Sequence, residues 1–263
     1  MTGARPQNEM PFLDHLEELR WRIIWSLAAL AVSLGVAFYV VTQLDAITFL
    51  QRPILPYLGG RRLVYTHPGD PLSITMTVTF ALAAVFASPF IIYQIWAFLS
   101  PALYRHEKKV VLPLLFGATL LFAAGVSVAY MVVLPFTLSF LLGFQSASLD
   151  SMITARDYFD FATGMSLAFG AVFEMPILIV LLTAFGVVTP LFLKRFRRYA
   201  IVLCVIAAAI ITPGDAATAT VVLVGPLYGL YEVSILLASA VHRRKAASAA
   251  REAAEYAAAE RPA

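Results

Sequence analysis

Carboxylates are the residues of this chain that could do chemistry, and they occur in two kinds of place. Glu17, Glu18 and Glu107 lie beside aromatic and basic residues at the ends of apolar segments. A carboxylate near a membrane surface can accept paired hydrogen bonds from a guanidinium, and the lower dielectric constant there strengthens the contact. These residues would therefore suit a ligand that carries arginines. Taken singly, each is also typical of a solvated loop, so both interpretations stay open.

The second kind of place is the interior of an apolar segment. Glu174 lies near the middle of one and is followed by Pro176. Because an ionised carboxylate at the bilayer centre costs at least about 2.5–3.5 kcal/mol, such a residue generally faces protein or water and has a function. The alternative is a protonated Glu174 bonded to a neighbouring helix. Glu232 lies closer to the predicted cytoplasmic end of its segment, where water reaches it more easily. Asp70 and Asp215 lie in predicted outer turns, where capping and turn formation compete with a functional role.

The motifs of common enzyme classes do not occur in the sequence. G-x-x-x-x-G-K-[ST], H-E-x-x-H and G-x-S-x-G are all missing, so nucleotide hydrolysis, zinc hydrolysis and serine catalysis lack their usual basis. The single cysteine, Cys204, lies in an apolar segment, which excludes a disulfide framework and a thiol-ligated metal site. We expect no enzyme activity, no cofactor, no metal and no nucleic-acid partner.

The elements that must position these carboxylates are membrane helices. The 263 residues are 60% hydrophobic and only 13% charged, which is more apolar surface than a soluble core of this size can bury. An apolar run of about 20 residues spans a hydrocarbon core about 30 Å thick. The sequence predicts an all-α, polytopic membrane domain over residues 1–241, with spans at about 23–41, 74–98, 110–134, 161–188, 199–212 and 216–241.

The fifth of these segments is short, and charge bias decides whether it crosses. Its 14 residues make about 21 Å of helix, so a re-entrant segment is the alternative to a span. With six crossings, all but four of the 19 Lys and Arg residues fall on one side, and basic residues near spans concentrate in the cytoplasm. We therefore predict a crossing, with the bilayer thinned locally and both termini cytoplasmic.

A cleaved secretory signal is the rival interpretation of the first span, because Ala29-Leu30-Ala31 resembles a cleavage site. The flanks argue against it. The stretch before the span is long and acidic, and the triplet lies inside the apolar run. Residues 11–22 instead predict an amphipathic helix that leads into the span, with Glu18 and Arg22 on its polar face. Trp21 and Trp25 would anchor it at the interface.

Two further local expectations concern helix ends. Pro135 divides the third apolar run, so the span should end near Leu134 and residues 136–144 should lie on the outer face. The tail, residues 242–263, is rich in alanine with mixed charge. It is typical of a solvated, fraying helix.

Four segments together resemble one known family, the TatC subunit of the twin-arginine protein translocase. The match covers roughly residues 12–240, and its long second segment is the most specific. The four segments are HLEELRWR at 15–22, PFIIYQIWAF leading into SPALYRHEKK at 89–109, FGAVFEMP at 169–176 and ITPGD at 211–215. One departure is Glu17, where an apolar residue is common in the family, so which of Glu17 and Glu18 lies nearer the ligand stays open.

The resemblance implies a function and a set of site residues. It implies that Glu18 and Glu107 receive the paired arginines of a signal peptide, with Arg20 and Phe98 in the same surface. It also implies a concave, glove-like bundle with short fifth and sixth spans. Further positions that it marks are Glu174 as an intramembrane polar site, Pro53, Tyr130 and Asp215.

Two hypotheses from different classes follow. The first is a receptor and core subunit in the bacterial cytoplasmic membrane that exports folded proteins with the proton-motive force. Its expected partners are twin-arginine signal peptides, single-span subunits of the TatA and TatB type, other copies of itself and the lipid bilayer. The second is a small secondary transporter in which Glu174 couples a proton or ion to solute movement.

Overall fold

The computed structural model describes residues 12–99, 108–143, 152–211 and 218–259, and these residues are almost entirely helical. Short connecting pieces include a 3₁₀ turn at Leu55–Tyr57 and a single parallel bridge between Val64 and Thr154. The helices, in chain order, are α1 (Phe12–Gln43), α2 (Ala46–Gln51), α3 (Asp70–Leu99), α4 (Lys108–Val128), α5 (Leu134–Gly143), α6 (Ala155–Phe173), α7 (Met175–Ala184), α8 (Pro190–Ile211) and α9 (Thr218–Ala259).

Five helical stretches of the described part are long and apolar enough to cross a membrane. They are His15–Gln43, Asp70–Phe98, Leu115–Gly143, Ala155–Ala184 and Leu223–Arg243. The all-helical class predicted from the sequence is therefore confirmed. Helix α8 is not among the five because basic residues fill its first turns, although its 22 residues make about 33 Å of helix. The sixth crossing stays a prediction.

The helix of the third predicted span does not end at Pro135, although the end of the span itself stays a prediction. A π-helical segment, Ala129–Val133, joins α4 to α5, and the helix continues through Pro135 to Gly143. A proline lacks a backbone donor and crowds the preceding turn, and the wider π turn directly before it accommodates the ring. Helices within a membrane tolerate proline where such local adjustments satisfy the backbone.

The chain divides into two compact units. The first comprises residues 1–52, 63–120 and 153–163, and α1 packs along α3 within it. The second comprises residues 53–62, 121–152 and 164–263, where α9 packs against both α7 and α8. Tyr231 and Ile235 of α9 lie in a buried cluster with Leu193 and Ala200 of α8. Each unit therefore contains one of the two carboxylate regions, with Glu18 in the first and Glu174 in the second.

Candidate functional site

Glu18 is held by an arginine of its own helix. Arg22, one turn further along α1, donates from Nε to Glu18 Oε1 at 3.0 Å, and its Nη2 donates to the same oxygen. The remaining arm reaches α3, where Nη1 donates to Gln94 Oε1 at 3.3 Å. The planar guanidinium can bridge two acceptors on different helices in this way, which a lysine cannot. Arg22 thus fixes both the Glu18 carboxylate and the contact between α1 and α3.

The second oxygen of Glu18 has no such partner among the described residues. Oε2 is buried and accepts no hydrogen bond from the described residues. The imidazole ring of His15 is a neighbour, with its Nδ1 3.8 Å from this oxygen. A buried carboxylate oxygen without a donor is costly, and a charged donor is the partner that compensates best. In the described part of the chain, the site therefore presents a carboxylate oxygen that accepts no hydrogen bond, beside a guanidinium that is already bound.

An aromatic pair borders this carboxylate. His15 stacks on Phe98, near the end of α3, with ring centroids 4.4 Å apart and an angle of 18° between the planes. Both side chains are half-buried. A ring face can pack against a planar guanidinium as well as against another ring. Phe98, predicted as a site residue, therefore lies beside Glu18, and His15 joins them.

The structure distinguishes the two adjacent glutamates. Glu17 is exposed, as is Arg20, whereas Glu18 is half-buried and faces α3. Trp21 and Trp25 point away from the protein, with 55% and 57% of their surface exposed. The polar stripe of α1 is thus its inner face, because lipid accepts apolar side chains and leaves hydrogen-bonding groups to pair between helices.

Two predicted site residues, Glu107 and Asp215, lie outside the described residues. Sequence reasoning had noted the spacing of Glu18 and Arg22 but assigned no role to Gln94. A signal for Gln94 was available, since it is a single amide in the apolar sequence IIYQIWAF. A polar residue inside a membrane helix generally faces a polar partner. Gln94 is buried and bonds Arg22.

Glu174 lies at a break between α6 and α7. Its backbone N–H donates to Ala171 O at 3.2 Å, and Leu178 N donates to Glu174 O at 3.0 Å. Pro176 has no N–H for the carbonyl one turn earlier, which explains the interruption. Glu174 Oε1 is buried and accepts no hydrogen bond from the part of the chain described. The embedded carboxylate is therefore available to a partner.

Close helix packing characterises the same unit. An added methyl group at Gly125 of α4 would lie 2.7 Å from the Phe169 carbonyl oxygen of α6, and one at Gly170 would lie 2.9 Å from the Phe122 ring. Small residues let membrane helices approach in this way. Tyr130, a predicted site residue, is half-buried in the π-helical segment that follows α4. Segments of this type occur often at functional sites.

The predicted outer residues have structural roles where they are described. Asp70 is buried, and its Oδ2 accepts from the backbone N–H of Thr66 at 3.0 Å and of His67 at 2.9 Å. Arg156 of α6 lies 3.6 Å from the other oxygen. The turn-forming role considered for Asp70 is thus observed, because both backbone donors precede α3. Pro53 is half-buried just before the 3₁₀ turn.

Glu232 is paired, which the sequence did not reveal. It accepts from Arg197 Nη2 of α8 at 2.7 Å and from the Tyr228 hydroxyl at 2.7 Å. Arg197 and Glu232 are separated by 35 positions, so their contact depends on the packing of α8 against α9. The ion pair with Arg197 explains why Glu232 lies in an apolar segment, so no role in ion transport is needed to explain it.

The sequence profile of one family, described as Sec-independent protein translocase protein (TatC), matches residues 14–226. The TatC protein of Aquifex aeolicus (strain VF5) is 41% identical over 238 residues, covering 90% of this chain and 98% of that protein. TatCy of Bacillus subtilis (strain 168) is 37% identical over 250 residues, covering 92% and 94%.

Solved structures agree with these sequence matches. A crystal structure of the twin-arginine translocase receptor TatC superposes with a TM-score of 0.76 at 40% identity, over 86% of this chain and 99% of that one. A second crystal structure, of the same receptor in DDM, gives a TM-score of 0.76 at 41% identity. The multi-pass helical architecture and these similarities together show that the chain belongs to the TatC family of Sec-independent protein translocase proteins.

Proposed function

We propose that this translocase subunit receives the paired arginines of twin-arginine signal peptides at Glu18. One observation carries the proposal: the Glu18 Oε2 atom is buried without a hydrogen-bond donor from the described residues. An incoming guanidinium would supply that donor and the compensating charge. The solved relatives are receptors of the twin-arginine translocase, which supports this choice of ligand.

Arg22 supports the same proposal from within the chain. Its guanidinium already binds Glu18 Oε1 and Gln94, so the site accommodates this group sterically and electrostatically. With Arg22 in place, the carboxylate is oriented and only one oxygen remains for a ligand. We assign one signal arginine to this oxygen and the other to Glu107, with Phe98 as the apolar wall and exposed Arg20 at the rim.

The remaining assignments complete the proposal. The subunit works with single-span partners of the TatA and TatB type and with further copies of itself, and it uses the proton-motive force. Glu174, with a buried oxygen that accepts no hydrogen bond from the described residues, is the intramembrane site for a partner helix. Tyr130 belongs to the same intramembrane site, and Pro53 and Asp215 are further functional positions. The charge bias of the loops supports six spans with both termini in the cytoplasm, and the family supports the bacterial cytoplasmic membrane as their location.

The transporter hypothesis receives no support from the comparisons, which identify protein translocase components. Membership of that family also makes the chain a transport component rather than an enzyme.

Photo-crosslinking tests the proposed ligand. A twin-arginine peptide with a photoreactive residue beside the arginine pair is bound to the full chain in lipid nanodiscs, and mass spectrometry maps the crosslinks. We expect crosslinks within residues 15–22 and 94–107. When both arginines of the peptide are replaced by lysines, the crosslinking yield should fall about tenfold, because lysine cannot form the paired hydrogen bonds of a guanidinium. Equal labelling by the two peptides would contradict the proposal.

A further inference from the structure

The first three turns of α8 carry a band of basic and aromatic side chains. Four of the five residues at 194–198 are Lys or Arg. Three aromatic residues, Phe192, Phe196 and Tyr199, recur along the same turns. We call this set the α8 band; its members are Phe192, Lys194, Arg195, Phe196, Arg198 and Tyr199.

Packing of α8 against α9 turns the α8 band outward. Leu193 and Ala200 are buried in the cluster with Tyr231 and Ile235, and the Tyr231 hydroxyl donates to the Leu193 carbonyl at 2.8 Å. These contacts fix the rotation of α8 about its axis. Every described side chain from 194 to 199 is exposed, so the α8 band faces the surroundings of the protein.

The aromatic members of the α8 band form a continuous apolar stripe. Phe192 and Phe196 stack with ring centroids 4.4 Å apart, and Tyr199 lies 5.0 Å from Phe196. They are 48%, 39% and 47% exposed, respectively. Exposed aliphatic residues follow directly on α8, including Leu203 and Ile206. The stripe therefore lies where a charged turn meets an apolar one, which is the position of aromatic residues at a membrane interface.

The basic members of the α8 band carry positive charge that no carboxylate of the described residues balances. Arg197, which is not a member, forms an ion pair with Glu232. Lys194, Arg195 and Arg198 form no ion pair with a carboxylate of the described residues. Arg198 instead lies over the Tyr199 ring, 4.9 Å from its centroid, and donates to the Tyr199 hydroxyl at 3.2 Å. Three cations thus lie on the same turns as the apolar stripe and have no carboxylate partner among the described residues.

We propose that the α8 band binds an anionic phospholipid. The lipid phosphate would lie between Arg195 and Arg198, with Lys194 alongside, and an acyl chain would follow the Phe192–Phe196 stripe. Charge complementarity selects an anionic headgroup, since each basic residue near an anionic membrane surface strengthens binding about fivefold. The stripe selects a lipid over a soluble phosphate. This site is independent of signal-peptide binding at Glu18.

Native mass spectrometry of the full chain tests the proposal. Micelles contain dioleoyl phosphatidylglycerol and dioleoyl phosphatidylcholine in equal amounts, and bound lipids are counted for each variant. We expect phosphatidylglycerol to predominate in the wild type. Replacing Lys194, Arg195 and Arg198 by Gln should lower the apparent affinity for phosphatidylglycerol at least tenfold, by the charge argument above.

A matched control removes the same number of exposed cations elsewhere, by replacing Arg52, Arg61 and Arg62 with Gln. It should change the affinity less than twofold. Circular dichroism confirms that each variant keeps its helices. Equal losses in the two triple variants, or a wild type that prefers phosphatidylcholine, would overturn the proposal.

A second pair of measurements separates lipid from free phosphate. Phe192→Ala with Phe196→Ala keeps all three cations and should still weaken phosphatidylglycerol binding, because the acyl chain loses its stripe. Millimolar inorganic phosphate should leave the lipid bound. Unchanged lipid affinity in this variant, or displacement by inorganic phosphate, would make the α8 band a simple phosphate site and contradict the proposal.

Discussion

At the scale of single residues, the structure places the two adjacent glutamates in different surroundings. Glu18 faces α3 and is bound by Arg22, while Glu17 is exposed. Periodicity predicted the spacing of Glu18 and Arg22, but it could not reveal that Arg22 also bonds Gln94, 72 positions away. That contact depends on the packing of two helices, which the sequence pattern of either helix does not contain.

Replacing Arg22 by Lys tests whether the guanidinium fixes this carboxylate. An ammonium keeps the charge but cannot bridge Glu18 and Gln94 as the planar guanidinium does. We expect the free energy of unfolding to fall by about 1 kcal/mol, the usual contribution of one hydrogen bond. The measurement is unfolding in mixed micelles as the fraction of SDS rises, followed by circular dichroism.

Arg20→Lys is the control for that experiment. Arg20 is two residues away on α1, is exposed and makes no ion pair with the described residues, so its replacement should leave the unfolding curve unchanged. Equal losses for the two variants would show that the bridge from Arg22 to Glu18 and Gln94 does not itself stabilise the protein.

At the scale of helices, the sequence predicted that the helices exist more reliably than it predicted where each helix ends. The apolar runs were sufficient to find the long helices, and Pro176 indicated the break at Glu174. Pro135 misled for a physical reason: a π-helical segment just before it, Ala129–Val133, lets the helix continue to Gly143. Such a turn depends on packing around the helix and leaves no distinct residue pattern in the sequence.

Gly125→Ala tests the close approach of α4 and α6. The added methyl group would lie 2.7 Å from the Phe169 carbonyl oxygen, and backbone atoms cannot move aside cheaply. We expect a loss of about 1–3 kcal/mol in the free energy of unfolding, as for other overpacked sites. The same SDS titration measures it.

Gly164→Ala provides the matched comparison, because Gly164 lies in α6 and has open space where its methyl group would be added. Its stability should stay the same or rise slightly, since alanine favours helix. If Gly164→Ala lowered the free energy of unfolding as much as Gly125→Ala, close packing would not be the reason that alanine is unfavourable at position 125.

At the scale of the whole molecule, the predicted topology rests on composition and on the charge bias of the loops. Five described helical stretches can cross a membrane by length and composition, and the basic first turns of α8 explain why the short fifth segment differs. The ligand could not be read from these bulk properties. The carboxylates indicated arginine binding, but only the family resemblance indicated a signal peptide, because ligand identity depends on a partner that this sequence does not encode.

The central claim is that Glu18 binds a signal-peptide guanidinium directly. The most direct test is a double-mutant cycle, in which the dissociation constants of twin-arginine and twin-lysine peptides are measured against wild type, Glu18→Gln and Glu17→Gln in nanodiscs. Glutamine keeps an oxygen for Arg22 but loses the charge. Glu18→Gln should weaken twin-arginine binding at least about tenfold, since a hydrogen bond between charged groups contributes about 1.5–3 kcal/mol. Twin-lysine binding should change much less, and Glu17→Gln should change both less than twofold. Equal effects of Glu18→Gln on the two peptides, or equal effects of the two glutamine variants, would contradict the claim.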